Sequence, residues 1–234
     1  MNQRPHTTTI LAITADGKIA DYTRSAARFS SATDKAHLES QISLVDGVIF
    51  GAGTLRAYGT SLPISNTKLM QLRQNRGQIP QPIHLVVSAS GEIAPGLKFF
   101  EQPIPRWLLT TQDNSQLWQN NNLFDRIIVG KTDANSNFEW SEIFFQLYDL
   151  GLQKLAILGG GELVASLLAI EAIDEIWLTV CPVIFGGVTA PTPVGGRGWL
   201  QSECIKLDLL EVKHIDREVF LHYRVIYLTG TMER

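Results

Sequence analysis

Two hydrophobic periods alternate along this chain. TTTILAIT (7–14) is an unbroken β-branched and apolar run of strand length. ATDKAHLESQISLV (32–45) instead spaces Ala36, Leu38, Ile42, Leu44 and Val45 at helical intervals, behind Ser31 or Thr33 as N-cap. DGVIFGAGT (46–54) predicts a strand running into a glycine turn, and NTKLMQLRQNRG (66–77) a helix stopped by Gly77. PIHLVVS (82–88), RWLLTT (106–111) and DRIIVG (125–130) predict three more strands. WSEIFFQLYDLG (140–151) predicts a helix closed by Gly151, KLAIL (154–158) a strand, and GELVASLLAI (161–170) a helix. DEIWLTVCPVIF (174–185) predicts a long strand, and KHIDREVFLHYRVIY (213–227) a terminal hairpin turning near Asp216 and Arg217.

Strands that alternate with helices pack as a largely parallel sheet covered on both faces. The expected fold is therefore α/β, three-layer α/β/α, with the C-terminal hairpin added antiparallel at one edge. Residues 188–203 (VTAPTPVGGRGWLQSE) predict a long loop, with no second domain after it. One domain over 1–234, with its core at about 7–227, is the expectation.

Composition narrows the function classes. Of 234 residues, 44% are hydrophobic and 18% charged, as in a globular protein. The formal net charge of −3 leaves no basic footprint for nucleic acid. The chain has no apolar run of about 18 residues that would span a membrane. MNQRPHTTTI lacks the layout of a signal peptide, so a cytoplasmic protein is expected. Cys181 and Cys204 form no CxxC pair, and His6, His37, His84, His214 and His222 have no ligand spacing, so no metal is expected. Trp107, Trp118, Trp140, Trp177 and Trp199 are expected to fill core and interface.

Candidate chemistry sits in the glycines. In LAILGGGELVASLLAI a buried strand gives way to a helix across Gly159, Gly160 and Gly161. A helix start offers free N–H groups and partial positive charge, and glycine lets an anion reach them. The run therefore reads either as a phosphate cradle, completed by the N–H groups of Glu162 and Leu163, or as a tight turn with close helix packing. A second turn, GAGTLRAYG, repeats the arrangement with Gly51, Ala52, Gly53 and Thr54. Neither turn is a Walker or GxGxxG motif. Two such turns at parallel strand ends suit one ligand with linked phosphates. The third segment, ILAITADGKIA, places Ala12, Ile13 and Thr14 beside Asp16 at the mouth of the same cleft, unless its Asp-Gly is a plain turn.

Four motifs in register resemble the pyrimidine reductase family of riboflavin biosynthesis, the RibD C-terminal reductase domain, whose fold is dihydrofolate reductase-like. The family's A-S-x-D-G-K/R resembles Ile13 to Lys18, and its D-A-I-L-V-G-A-G-T resembles Asp46 to Thr54. Its E-G-G-x-x-L resembles Leu158 to Leu163, and its D-E-L-x-L-x-x-A-P-x-L-L-G-G resembles Asp174 to Gly187. The resemblance implies an NADPH-dependent reductase that opens the ribose of a phosphoribosylaminopyrimidine and delivers hydride to C1′. It places Ala12, Ile13, Gly51 to Thr54, Tyr58, Ser88 and Gly159 to Leu163 on the cofactor, and Thr14, Arg28, Leu62 and Leu158 on the heterocyclic substrate. Asp16 is its candidate polar catalytic group. It further implies a homodimer formed through strand 174–185 and the hairpin, and a cis peptide between Gly159 and Gly160.

The substrate half of the pattern departs from the family. Tyr58 replaces the first acid of D-D-P-x-L, of which only Leu62 remains, and Leu158 replaces the acid of E-G-G. Ile42, and Ile64 with Ser65, stand where arginines are usual, and Ala26-Ala27-Arg28 replaces S-x-W. Arg24, Arg28, Arg56 or Lys68 then supplies the phosphate contact, or the substrate differs. A nucleotide-binding relative without turnover, or a reductase of a pterin, are the alternatives.

Overall fold

The computed structural model describes residues 3–134 and 137–227. Seven parallel strands form the body of the sheet: β1 (His6–Thr14), β2 (Gly47–Gly51), β3 (Ile83–Val87), β4 (Arg106–Thr110), β5 (Arg126–Val129), β6 (Lys154–Ile157) and β7 (Glu175–Cys181). The hairpin strands β8 (Lys206–Ile215) and β9 (Glu218–Ile226) extend it antiparallel, in the order β5-β4-β3-β2-β6-β1-β7-β9-β8. The α/β/α fold with an antiparallel edge is as the periodicities predict. Asp216, at φ +57°, makes the expected hairpin turn.

Alternate residues of each central strand feed two cores. Leu11, Ile49, Leu85 and Leu109 point to one face and meet α5 (Trp140–Asp149) and α6 (Gly161–Ala169). Ile10, Val48, Phe50, Val86 and Leu108 point to the other. There they meet α1 (Ala32–Ile42), α2 (Ala52–Tyr58), α3 (Thr67–Asn75) and α4 (Gln112–Gln119) through Ile42, Leu55, Leu69 and Trp118. Burial on both sides accounts for the nearly unbroken apolar runs.

Element ends differ from the sequence expectation for physical reasons. α1 stops at Ile42, three residues early. The carbonyls of Ser43 and Val45 beyond it are taken by the buried Arg73 guanidinium, at 3.1 and 2.5 Å. β7 stops at Cys181 because Pro182 has no N–H to continue the ladder. The segment after it turns onto β1, where Ala15 N–H donates to Val183 O at 2.8 Å. α2, α4 and the first seven residues of β8 are elements that the periodicities did not predict.

Candidate active site

The sheet order brings the sequence motifs to one edge. β3, β2, β6 and β1 are consecutive, so Ser88, Gly51, Gly159 and Thr14 lie at or just past four adjacent strand ends. Three strand spacings of about 4.8 Å spread them over about 14 Å, which favours an elongated ligand. β1 pairs with β6 only as far as Thr9↔Ile157, while its pairing with β7 continues to Thr14↔Cys181. The chains part beyond Thr9, and the half-buried Ala12 and Ile13 border that opening.

The two glycine turns touch. The Gly51 N–H donates to the Gly159 carbonyl at 3.0 Å. A Cβ built on Gly160 would stand 3.6 Å from the Thr54 hydroxyl, and one on Gly51 would stand 3.9 Å from the Gly160 nitrogen. Gly51 is the N-cap residue of α2 and Gly160 that of α6, and neither start has a side-chain cap. Both helices thus bring uncapped first-turn N–H groups to one place, with the Thr54 hydroxyl between them. Gly159 needs its φ of +100°, and a Cβ built on it would stand 3.4 Å from a Leu11 methyl. The Gly159–Gly160 peptide is cis. This bare, donor-rich surface fits the diphosphate of a dinucleotide.

Other expected residues have different surroundings. A side chain on Gly161 would overlap the Thr192 carbonyl oxygen, and the Gly161 carbonyl accepts from Gly195 N–H at 3.0 Å. The Glu162 carboxylate accepts from Gly196 N–H at 3.3 Å. Segment 192–196 therefore occupies the outer side of the α6 start, and the third glycine is explained by packing. The Leu163 side chain lies in the core, leaving only its N–H for a ligand. Ser88 is buried at the end of β3. Tyr58 donates to Ala27 O on the β1–α1 connection at 2.9 Å.

The expected substrate residues each have partners or packing within the protein, or solvent around them. Thr14 is fully buried, and its hydroxyl already donates to Asp16 at 2.5 Å and accepts from Lys18 N–H at 2.8 Å. Leu62 and Leu158 pack against the α1-side core, where apolar contact holds them. Arg28 is exposed on the β1–α1 connection. Asp16 has the surroundings of a latch, since its carboxylate also accepts from Phe185 and Gly186 N–H groups at 3.2 and 2.6 Å. The Thr14 hydroxyl, then the two N–H groups, hold its pKa below the usual carboxylate value. An anion so held is a poor proton donor at neutral pH.

A sequence profile of the RibD C-terminal domain matches residues 5–221. The chain belongs to this family. A relative from Archaeoglobus fulgidus, named 2,5-diamino-6-ribosylamino-4(3H)-pyrimidinone 5′-phosphate reductase, is 24% identical over 85% of this chain and 90% of its own. One of the same name from Methanothermobacter thermautotrophicus is 22% identical over 95% and 99%. Among solved structures, a pyrimidine reductase-like protein from Corynebacterium diphtheriae superposes with a TM-score of 0.79 at 20% identity, covering 95% of this chain and 92% of that one. RibD from Acinetobacter baumannii gives 0.77 at 16% identity, covering 95% and 58%, so the RibD fold extends over this chain.

The positions at which the sequence resemblance leads one to expect arginine have other work here. Ile42 is fully buried in the core, and the Ser65 N–H is held by the Glu39 carboxylate. Sequence reasoning missed two features of the site. One is segment 192–196, within a loop that has no motif. The other is the Tyr58–Ala27 contact, which joins residues 31 positions apart.

Proposed function

We propose that this protein is an NADPH-dependent reductase of a phosphoribosylaminopyrimidine in riboflavin biosynthesis, working in the cytoplasm as a homodimer. The observation that carries the reading is the junction of two uncapped helix starts through Gly51 and Gly159, in a RibD-family chain. Gly51, Thr54, Gly159 and Gly160 would hold the diphosphate, Ser88 the adenosine side, and Ala12 and Ile13 the nicotinamide beside the β1–β6 opening. When bound, the nicotinamide supplies the hydride that reduces C1′ of the ring-opened sugar. The protein aligns donor and acceptor carbons and excludes water, which is the larger part of its contribution to a hydride transfer. Asp16 acts through position, tying β1 to the segment after β7.

Dimerisation is favoured by the edge strand β8. It leaves Leu207, Leu209, Leu210, Val212 and Ile215 exposed beside an unpaired backbone edge.

A second reading, a cofactor-binding relative without turnover, draws on the burial of Ile42 and the packing of the half-buried Leu158 against the core. The assay follows NADPH absorbance with the phosphoribosylaminopyrimidine substrate, alongside rescue of a riboflavin-requiring strain. Cofactor oxidation and growth are expected. NADPH binding with neither outcome would give the site to the second reading. Oxidation with dihydrofolate alone would give it to a pterin reductase.

A further inference from the structure

β2 and β3 are neighbours and end together, with Gly51 opposite Val87 in their pairing. The turns that follow them, residues 51–54 and 88–92, therefore rise side by side. The second is firmly held. Gly91 N–H donates to Ser88 O at 3.3 Å, the Asn114 and Thr111 side chains donate to Ala89 O at 2.9 and 3.2 Å, and the Trp118 indole donates to Gly91 O at 2.8 Å. Arg56, on α2, links the two turns. Its Nη1 donates to Glu92 O at 3.3 Å, and its Nη2 stands 4.0 Å from where a Cβ on Gly53 would lie.

The guanidinium is otherwise uncommitted. Arg56 is exposed, and among the described residues Glu92 O is its one hydrogen-bond partner and no carboxylate pairs with it. Most of its five N–H donors are thus left for a ligand. Ser90 is exposed in the neighbouring turn. Its hydroxyl oxygen accepts from Glu92 N–H at 3.3 Å, and its O–H is left to donate. Lys131, past the end of β5, is by contrast paired with Glu142 at 2.9 Å.

We infer that Arg56 selects the phosphorylated dinucleotide: with the adenosine beside Ser88, the Arg56 guanidinium and the Ser90 hydroxyl receive the 2′-phosphate of the adenosine ribose, the group by which NADPH differs from NADH. This rests on the proposed cofactor site and adds to it the residue that decides between the two dinucleotides. A planar guanidinium engages two phosphate oxygens at once. The Glu92 carbonyl holds the fork beside Gly53 before the ligand arrives, which reduces the ordering loss on binding. The assignment takes Arg56 away from the substrate's own phosphate, one of the roles that its sequence position offered.

The test is calorimetry with 2′,5′-ADP and with ADP, which differ in that phosphate alone, on wild type, Arg56→Ala and Arg56→Lys. Wild type is expected to bind 2′,5′-ADP at least about tenfold more tightly than ADP, the scale of one charge-assisted contact. Arg56→Ala is expected to bring the two within about twofold, with the ADP Kd unchanged. Arg56→Lys, which keeps the charge and loses the fork, is expected to fall between. Arg56 is exposed, so both variants should melt within about 2 °C of wild type. Full preference retained in Arg56→Ala would overturn the inference and leave the cofactor site standing. So would an equal loss for both ligands, which would give Arg56 to the diphosphate instead. A wild type that binds NADPH and NADH alike refutes the inference alone, and one that binds neither refutes the cofactor site with it. Where the pyrimidine substrate is turned over, Arg56→Ala should raise the KM for NADPH about tenfold and leave the KM for NADH and both kcat values within about twofold. A fall in kcat would count against a role confined to the adenosine end.

Discussion

Replacing Gly160 and Gly161 by alanine separates cofactor binding from packing at adjacent residues. Gly160 has φ −82° and ψ −175°, which any residue adopts. A methyl there meets only the Thr54 hydroxyl, at an ordinary 3.6 Å. Removing a glycine at such a site raises stability by about 0.4–1 kcal/mol through the unfolded chain. The same methyl stands between Thr54 and the start of α6, where a phosphate must approach. Losing one charge-assisted hydrogen bond costs about 1.5–3 kcal/mol, or about 10- to 150-fold in Kd. At Gly161 the methyl overlaps backbone, the Thr192 carbonyl, and lies 3.2 Å from Gly195 nitrogen. Overpacking of this kind costs about 1–3 kcal/mol, which lowers Tm by about 2–12 °C in a domain of this size. Thermal melts and NADPH titration by fluorescence measure both quantities. Gly160→Ala should melt at or above the wild-type temperature and bind NADPH at least about tenfold more weakly. Gly161→Ala should melt lower with the smaller change in affinity. A Gly160→Ala protein that binds NADPH like wild type would refute the reasoning.

Other consequences concern stability and assembly. Burial, with Arg73 and Arg106 nearby, lowers the His84 pKa from the usual 6.5 to about 3. A depressed histidine pKa favours the neutral folded form, so its stabilisation is complete above about pH 6.5 and lost as pH falls from there toward 3. Between pH 8 and 5 the loss is about 2 kcal/mol. Urea titrations should show His84→Asn losing less over that interval, and parallel losses would reject the assignment. Arg73→Met removes a buried guanidinium that bonds Ser43, Val45 and Ile79 carbonyls. It should cost about 1–3 kcal/mol, because the buried Val45 carbonyl loses its partner while the Ser43 carbonyl keeps the Arg76 guanidinium at 2.6 Å; a Tm unchanged from wild type would contradict this. The proposed dimer predicts that wild type scatters light as a dimer and that Leu209→Lys with Val212→Lys, on the exposed β8, scatters as a monomer. A variant that remains dimeric would place the interface elsewhere.

Much of the fold was legible because buried parallel strands carry their signal locally. DGVIF and KLAIL read as strands on composition alone, and the structure pairs them as β2 and β6. The elements that escaped lack such runs. α4 (QDNSQLWQ) is mostly polar and held by Trp118, whose indole N–H reaches Gly91 O at 2.8 Å. α2 is short and opens on glycine, so it read as part of a turn. β8 is exposed along nearly its whole length, and no buried face imposes a clean alternation on LDLLEVKHI. In the site, the sequence located the glycine turns but not what fills the space beside them. Three consecutive glycines look equivalent, whereas Thr192 distinguishes Gly161 from Gly160. Thr14 read as an available hydroxyl because its bonds to Asp16 and Lys18 form only once the turn closes. Tyr58 read as a lost acid, since its partner Ala27 lies in a distant loop.

The central claim is that the Gly51–Thr54 and Gly159–Gly160 turns hold one dinucleotide between them. A crystal structure of the protein soaked with NADPH tests this most directly. The account predicts the diphosphate in contact with the backbone of both turns and the Thr54 hydroxyl, with the nicotinamide beside Ala12 and Ile13. A dinucleotide touching only one of the turns, or seated elsewhere on the protein, would contradict it.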